Sequence, residues 1–189
     1  MGKLTNFIFI GRSGSAKGTQ AKLLLEKFPN LYYIATGDLL RNLAKLKTDV
    51  GMRINQLLTS GGLPSHEIPI MLWMHEISLN LTTQQGFIAD GFPRRLPEAK
   101  ILTDFLKWME RWESTKILWI DITREEAHKR LKLRGRSDDV DENINNRQDW
   151  FEKDVMPIVE YYKSENKLIR INGEQTIEKV FEEILSHIQ

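Results

Sequence analysis

The sequence has no cysteine among its 189 residues, which excludes disulfide scaffolds, thiolate zinc sites and thiol nucleophiles. It also lacks an excess of charge of one sign. Its 27 Lys and Arg against 26 Asp and Glu give a formal net charge of +1, so bulk electrostatics gives no reason to bind nucleic acid or acidic membranes. No apolar run approaches the roughly 18 residues that span a bilayer, and the run at residues 7–10 is too short for a signal peptide. We therefore expect one cytoplasmic domain with neither membrane nor nucleic-acid partners.

Short apolar runs alternate with amphipathic stretches along the chain. Five runs are almost continuously apolar, as in strands covered on both faces: residues 7–10, 31–35, 87–89, 117–122 and 168–171. Helical patterns separate them, which predicts an α/β fold, a five-stranded parallel sheet with helices on both faces. Residues 37–67 hold two helical patterns and no strand, which indicates a small helical insertion. We interpret four tryptophans as packing residues of this fold: Trp108, Trp112, Trp119 and Trp150.

The loop after the first strand has the composition of a phosphate-binding loop. It reads Gly11-Arg12-Ser13-Gly14-Ser15-Ala16-Lys17-Gly18-Thr19. Small residues let successive backbone N–H groups converge on an anion at the start of the next helix, and Lys17 supplies a charge for the β- and γ-phosphates. The pattern G-x-x-x-x-G-K-[ST] is broken twice. Ala16 replaces a glycine, at a cost of about 1 kcal/mol if its φ is positive. Gly18 displaces the hydroxyl to Thr19, so we expect magnesium to be held by phosphates and water. The alternative is a Gly/Ser-rich turn that binds no ligand.

Two further segments follow directly after predicted strands. Thr36-Gly37-Asp38-Leu39-Leu40-Arg41 follows the second, and Asp90-Gly91-Phe92-Pro93-Arg94 follows the third. The carboxyl ends of parallel strands meet at one edge, so both segments would face the phosphate loop. Arg41 and Arg94 suit a phosphate group, and Asp38 and Asp90 suit magnesium through its water shell. The alternatives are a helix cap for each aspartate and a solvated position for each arginine.

Four more arginines follow later in the chain: Arg130, Arg134, Arg136 and Arg147. Arg130 and Arg134 lie one helical turn apart, and such a like-charge pair is unfavourable unless an anion lies between them. Arginines in this arrangement can spread charge over a transferred phosphoryl group. Three aspartates follow at once, so the alternative is an exposed, salt-bridged surface: Asp138, Asp139 and Asp141.

Taken together, these motifs resemble the adenylate kinase family over essentially the whole chain. The resemblance is carried by Lys17-Gly18-Thr19-Gln20, by the two segments after the second and third strands, and by Arg130-x-x-x-Arg134 with Arg147. It implies a P-loop NTPase type of fold with a core (residues 1–36, 66–129 and 148–189), a helical insertion that binds the nucleoside monophosphate (37–65) and a very short lid (130–147). It implies reversible phosphoryl transfer from Mg-ATP to AMP, giving two ADP. It also implies a monomer with Mg²⁺ as cofactor and ATP, AMP and ADP as partners.

The same resemblance implies residue roles. The catalytic residues would be Lys17, Arg94, Arg130, Arg134, Arg136 and Arg147. ATP would be bound by Gly11, Gly14, Ser15, Ala16, Lys17, Gly18, Thr19, Arg130, Arg134 and the backbone near Gln175. AMP would be bound by Thr36, Gly37, Arg41, Gly62, Leu63, Pro64, Gly91, Arg94, Glu98, Arg136 and Arg147. Asp38 and Asp90 would hold magnesium through water, no zinc is expected, and Asp138 and Asp139 resemble an acidic pair that fastens the lid.

Three features depart from the family's pattern. Ala16 is the first, and the second is the lid, reduced to Gly135 between Arg134 and Arg136. The third is Glu98, where the family usually carries a glutamine that faces the AMP base. An ionised carboxylate only accepts hydrogen bonds, so Glu98 matches the amino group of adenine but not N1 unless it is protonated. Guanine stays open as the acceptor base, and the alternatives are a UMP/CMP or GMP kinase and a weakly active nucleotide sensor.

Overall fold

A computed structural model of the chain describes residues 4–136 and 139–188. Its strands are β1 (Asn6–Ile10), β2 (Leu31–Ala35), β3 (Gly86–Asp90), β4 (Thr115–Asp121) and β5 (Leu168–Asn172). Its helices are α1 (Lys17–Lys27), α2 (Thr36–Ala44), α3 (Asp49–Thr59), α4 (Glu67–Asn80), α5 (Leu96–Trp108), α6 (Arg124–Arg134), α7 (Asp141–Trp150), α8 (Met156–Ser164) and α9 (Ile177–Ser186). A π-helical turn (Phe151–Val155) joins α7 to α8. The strands form one parallel sheet in the order β2-β3-β1-β4-β5, which confirms the predicted fold class.

Both faces of the sheet are covered because successive side chains of a strand point to opposite sides. In β1, Ile8 and Ile10 pack in one cluster with side chains of α4, α5 and α8. Phe7 and Phe9 pack in the other with side chains of α1 and α9. Each such side chain contributes about 1.5–3 kcal/mol when fully buried. The continuous apolar runs in the sequence are therefore the record of a sheet with two buried faces.

The strand order brings the loops after β1, β3 and β4 together. β1 lies at the centre, hydrogen-bonded to β3 on one side and to β4 on the other. Phe9 pairs with Asp90 and Ile10 pairs with Trp119, so β1 and β3 end within one residue of each other and β4 extends two residues further, to Asp121. The winding of the chain reverses at β1, and ligands of open α/β sheets bind at such a reversal.

Two helices, α2 and α3, lie between β2 and α4, where the sequence predicts a helical insertion. The second, α3, begins after Thr48, whose hydroxyl accepts a hydrogen bond from the Gly51 N–H at 3.1 Å. Such an N-cap satisfies a backbone donor that the helix itself leaves unpaired. Neither of these two helices, nor any other within residues 4–136 and 139–188, is long and apolar enough to cross a membrane.

The interpretation of the tryptophans as packing residues is wrong for one of them. Trp112 lies in the core at 6% exposure. Trp108, at the end of α5, is 79% exposed, and its indole stacks on the ring of Phe105 with 5.8 Å between ring centroids. The sequence pattern placed it on a helix, but the side of the helix on which it lies faces solvent.

Candidate functional site

The phosphate-binding loop lies directly against β4 and α6. A Cβ on Gly11 would lie 2.5 Å from the Ile120 carbonyl oxygen, and one on Gly14 would lie 2.9 Å from that of Ala127. Real Cβ atoms do not approach so closely, so these positions exclude every residue with a side chain unless the backbone shifts. Ala16, directly before α1, has φ 66° and ψ 21°, the left-handed region. The strain expected of an alanine at this point of the loop is therefore present.

Lys17 folds back over this loop. Its Nζ donates hydrogen bonds to the carbonyl oxygens of Gly11 and Arg12, both at 2.8 Å. Burial lowers the pKa of Lys17 to about 8. The negative charge of Asp90 opposes this shift, whereas the positive charges of Arg94 and Arg134 reinforce it. The structure thus brings the lysine, the aspartate after β3 and two of the predicted arginines into one electrostatic neighbourhood.

Asp90, at the end of β3, is the better placed of the two candidate magnesium residues. Its Oδ2 accepts a hydrogen bond from the Tyr33 hydroxyl at 3.1 Å and lies 3.3 Å from where a Cβ on Gly18 would be. A carboxylate beside the phosphate loop is a donor of the type that magnesium prefers, directly or through water. Asp38 lies in the first turn of α2, exposed, and forms an ion pair with Arg41 on the same helix. The residues present therefore fit a hydrated magnesium ion at Asp90, while Asp38 is engaged by Arg41.

The entrance to the insertion contains one unsatisfied polar group. Thr36 begins α2 at 1% exposure, and its hydroxyl has no hydrogen-bond partner among the described residues. Gly37 follows it, and a Cβ there would lie 3.1 Å from the guanidinium of Arg41. A buried hydroxyl without a partner costs free energy, about 1–3 kcal/mol, so a polar ligand at this point would remove that cost.

Arg94 lies half-buried in the loop after β3, where Phe92-Pro93 is a cis peptide. Its Nε donates to the Gly91 carbonyl at 2.7 Å, and its guanidinium carbon lies 5.7 Å from the ring centroid of Trp150. Burial lowers the pKa of Arg94, which measures the cost of holding this charge out of water. The Arg94 side chain nevertheless stays positively charged, because a guanidinium does not lose its proton in proteins.

Glu98 supports the backbone of this loop. Its carboxylate accepts a hydrogen bond from the Arg94 N–H at 2.6 Å, and the residue is 2% exposed. Burial raises the pKa of Glu98, opposed by that N–H and by the charges of Arg94 and Arg95. One carboxylate oxygen of Glu98, in the first turn of α5, thus ties this turn to the loop that precedes the helix. The residue was expected to face the acceptor base, and the structure adds this second role.

Asp139 binds two of the predicted arginines at once. Its side chain has 0% exposure. It accepts from Arg134 Nε and Nη2 at 2.8 and 2.6 Å and from Arg147 Nη1 at 3.0 Å. Burial would raise the pKa of Asp139, but the hydrogen bonds and charges of Arg134, the Arg136 N–H and Arg147 lower it overall. Asp139 is therefore salt-bridged, but its side chain is buried and not part of an exposed surface as that alternative had it; Asp138 lies outside the described residues.

The other lid arginines have different surroundings. Arg130 donates to Glu126 at 2.7 Å and to the Gly173 carbonyl, beyond β5, at 3.0 Å. The like-charge pair Arg130 and Arg134 is thus offset by a separate acceptor for each, Glu126 and Asp139. Arg136 is exposed.

The two regions expected to bind the bases are the turn at Gln175 and the segment 62–64. The Gln175 side chain donates from Nε2 to Glu183 Oε2 on α9 at 2.6 Å. In the segment 62–64, Gly62 and Leu63 are partly buried, and the Pro64 carbonyl accepts from Arg95 at 2.7 Å.

The helical insertion contacts α7 directly. Asn143 Nδ2 donates to the Thr59 carbonyl at 3.1 Å, and Asn146 Nδ2 lies 3.4 Å from the Ser60 carbonyl. A Cβ on Gly61 would lie 3.1 Å from the Cβ of Asn143. The end of α3 and the helix that carries Arg147 therefore touch.

A cavity lies between the phosphate loop and the loop after β3. Its polar wall includes Ser13, Lys17 and Arg94, and its apolar wall includes Pro93 and Trp150. Sequence reasoning missed Trp150, which was interpreted only as a packing residue. The one available signal was its position three residues after Arg147, on the same helical face.

Comparisons with known proteins agree with this geometry. The family model of adenylate kinase matches residues 9–167. The adenylate kinase of Leptospira biflexa is 34% identical over 189 residues, covering 98% of this chain and 100% of the relative. Adenylate kinase 1 of Nostoc sp. is 33% identical over 96% of this chain and 97% of its own length. The adenylate kinase of Azobacteroides pseudotrichonymphae is 35% identical over 98% and 97%. The chain therefore belongs to the adenylate kinase family and is a nucleoside monophosphate kinase.

Proposed function

We propose that the chain transfers the γ-phosphoryl group of Mg-ATP to AMP, reversibly, giving two ADP. The observation that carries the proposal is that Lys17 and Arg94 line one cavity beside the phosphate loop, where the charges of Arg94 and Arg134 both lower the pKa of the lysine. Holding several cations close together costs electrostatic free energy. In a protein whose net charge is only +1, such a cluster indicates a polyanionic ligand. The names of the relatives support AMP as the acceptor.

On the donor side, the amides of the loop from Gly11 to Thr19 would hold the phosphates, with Lys17 exchanging its loop carbonyls for phosphate oxygens. Arg130 would hold the donor from α6, and the turn at Gln175 would contact its base. Magnesium would be held by the phosphates and, through water, by Asp90, and it would supply charge neutralisation. Asp38 is a weaker candidate for that ion because Arg41 engages it.

On the acceptor side, the monophosphate would lie between Arg41 and Arg94, and the hydroxyl of Thr36 would gain the partner that it lacks. Gly37 and Gly91 leave room for the guanidinium groups of Arg41 and Arg94, which a Cβ would crowd. The segment 62–64 and Glu98 would form the base pocket. Arg134, Arg136 and Arg147 would approach the transferred group from the lid.

Chemistry at this site needs no general base. The attacking oxygen belongs to a phosphate that is already ionised, so in-line alignment and charge neutralisation carry the transfer. We propose that residues 37–65 and 130–147 close over the two nucleotides, exclude water and bring the arginines to the transferring group. A single copy of the chain supplies every residue proposed to bind the nucleotides, so we also propose that the protein acts as a monomer. Its placement in the cytoplasm stays a prediction.

The test compares AMP, GMP, CMP and UMP as acceptors with Mg-ATP as donor, and the rate of ADP formation is measured for each acceptor. We expect AMP to be preferred, and we expect Glu98→Gln to use AMP at least as well, because the amide oxygen still accepts from the Arg94 N–H. A preference of about tenfold, or roughly 1.4 kcal/mol, for another base would remove the AMP assignment. For GMP it would indicate that the Glu98 carboxylate pairs with the two donors of guanine. Nucleotide binding without ADP formation would favour a sensor instead.

A further inference from the structure

We propose that Arg12 is a positioning residue that fixes the donor phosphate loop to the helix carrying Arg147, and thereby sets the affinity for the donor nucleotide. The proposal deepens the function proposed above and rests on it for the identity of the donor. Arg12 is the second residue of the loop, and the four that follow it, Ser13-Gly14-Ser15-Ala16, have side chains of two heavy atoms or fewer. Arg12 is therefore the loop residue before Lys17 whose side chain can reach another element.

The guanidinium of Arg12 is held by three different residues. Nη1 donates to Gln148 Oε1 and Nη2 to Glu152 Oε1, each at 3.0 Å. The guanidinium carbon lies 4.5 Å from the ring centroid of Phe151, within the range of a cation–π contact. The Arg12 side chain is 14% exposed, and Gln148 and Phe151 are 0% and 2% exposed. These contacts use the planar fork of arginine on two acceptors and its flat face on a ring, which a lysine does not reproduce.

The backbone of Arg12 is part of the phosphate site. Its carbonyl oxygen accepts from Lys17 Nζ at 2.8 Å and from the Ser15 N–H at 3.1 Å. A shift of Arg12 therefore moves an acceptor of the catalytic lysine and the turn that aims the loop amides. Because both Nη groups are engaged by Gln148 and Glu152, the side chain acts on the phosphates through the loop backbone.

The partners of Arg12 belong to a segment that also holds the acceptor side. Gln148 directly follows Arg147, which binds Asp139, and Trp150 lies against Arg94. Phe151 begins the π-helical turn, and such turns occur frequently at functional sites. Arg12 thus connects the loop that binds the donor to the helix that supplies an arginine to the transferred group.

The experiment measures two affinities by calorimetry, for a non-hydrolysable ATP analogue with Mg²⁺ and for AMP. In Arg12→Met we expect the Kd of the analogue to rise about tenfold and that of AMP to change less than about twofold, since the effect acts through the donor loop. The matched control is Arg170→Met. Arg170 donates twice to Asp121 and lies 5.3 Å from the Trp119 ring centroid, on the edge strand β5, so it makes the same kinds of contact without touching the loop. Both affinities should stay unchanged there.

Two further variants separate positioning from charge and from folding. Gln148→Leu removes one acceptor of Arg12, and the amide nitrogen lost with it is buried without a partner among the described residues, so the fold should tolerate the change. We expect Gln148→Leu to weaken analogue binding and the double variant to be no weaker than Arg12→Met alone, because both act on one contact. Arg12→Lys should resemble Arg12→Met.

The outcomes divide clearly. Wild-type analogue affinity in Arg12→Met, with a lowered melting temperature, would show a merely structural role and overturn the proposal. Wild-type affinity in Arg12→Lys would assign the effect to charge alone, and additive effects of Arg12→Met and Gln148→Leu would place them in separate contacts; both would also overturn it. If the acceptor panel yields no ADP while Arg12→Met still weakens the analogue, the proposed function fails and the positioning role stands.

Discussion

The pH dependence of donor binding follows from the surroundings of Lys17. Burial beneath the loop carbonyls of Gly11 and Arg12 lowers the pKa of the ammonium from 10.5 to about 8. That difference corresponds to roughly 3 kcal/mol against the charged form. Phosphates bind the charged form, so donor binding must weaken once pH exceeds the pKa of Lys17 in the free protein. At pH 9 about one tenth of the molecules would still carry the proton, which predicts a Kd about tenfold higher than at pH 7.5.

The assay is calorimetric binding of the same ATP analogue with Mg²⁺ from pH 7.5 to 10, a range in which the terminal phosphate, with a pKa near 6, is fully ionised. Burial and the charge of Asp90 raise the pKa of the adjacent Tyr33 phenol, so this group stays neutral over most of the range. Lys17→Arg is the control, because a guanidinium keeps its charge throughout. It should bind more weakly at every pH, without the alkaline decline.

A second variant tests whether the neighbouring arginines shape this pKa. Arg134 is one of the two positive charges that lower the pKa of Lys17, so Arg134→Met should move the decline to higher pH. A wild-type Kd that is constant from pH 7.5 to 9.5 would refute the reasoning, because the lysine would then be as well solvated as a surface residue.

Three further variants probe separate contacts. Ala16→Gly removes the left-handed alanine, so we expect turnover equal to or higher than wild type and unfolding free energy higher by up to about 1 kcal/mol; a large loss of turnover would contradict this geometry of the loop. Arg94→Lys keeps the charge but loses the fork, so kcat should fall by orders of magnitude, and wild-type kinetics would disprove its role. Asp139→Asn should lower the unfolding free energy at pH 7 by about 2 kcal/mol. Because the folded state lowers the pKa of Asp139, its contribution is present above about pH 3.9 and is lost as pH falls through the folded pKa. Chemical denaturation of both proteins at pH 7 and pH 3 measures this, and an equal deficit at both would contradict it.

Local sequence signals were sufficient for the sheet and for the phosphate loop. Continuous apolar runs indicated strands buried on both faces, and the order strand, small-residue loop, lysine, helix indicated the site of Lys17. Even the strain at Ala16 followed from a pattern position, since the left-handed conformation there is a property of the loop.

Contacts between distant segments were beyond the sequence pattern. By contrast, the hydrogen bond from the Arg94 N–H to Glu98 joins residues only four apart, so the local sequence could have indicated it. For Trp150 the helical spacing from Arg147 was the one local signal, and it was too weak to show the role, which comes from the approach of α7 to Arg94. The exposure of Trp108 was missed for the same reason: whether a helix face is covered depends on which elements pack there, and periodicity alone cannot say.

The hydrogen bond from Asn143 on α7 to the end of α3 couples the proposed ATP-binding and AMP-binding sides of the site. If α3 moves away from α7, that bond breaks, and the helix that carries Arg147 loses one of its supports. If one nucleotide draws either helix inward, less conformational entropy remains to be lost when the other nucleotide binds. By thermodynamic linkage this effect is reciprocal. The factor by which AMP raises the affinity for ATP through this contact equals the factor by which ATP raises the affinity for AMP.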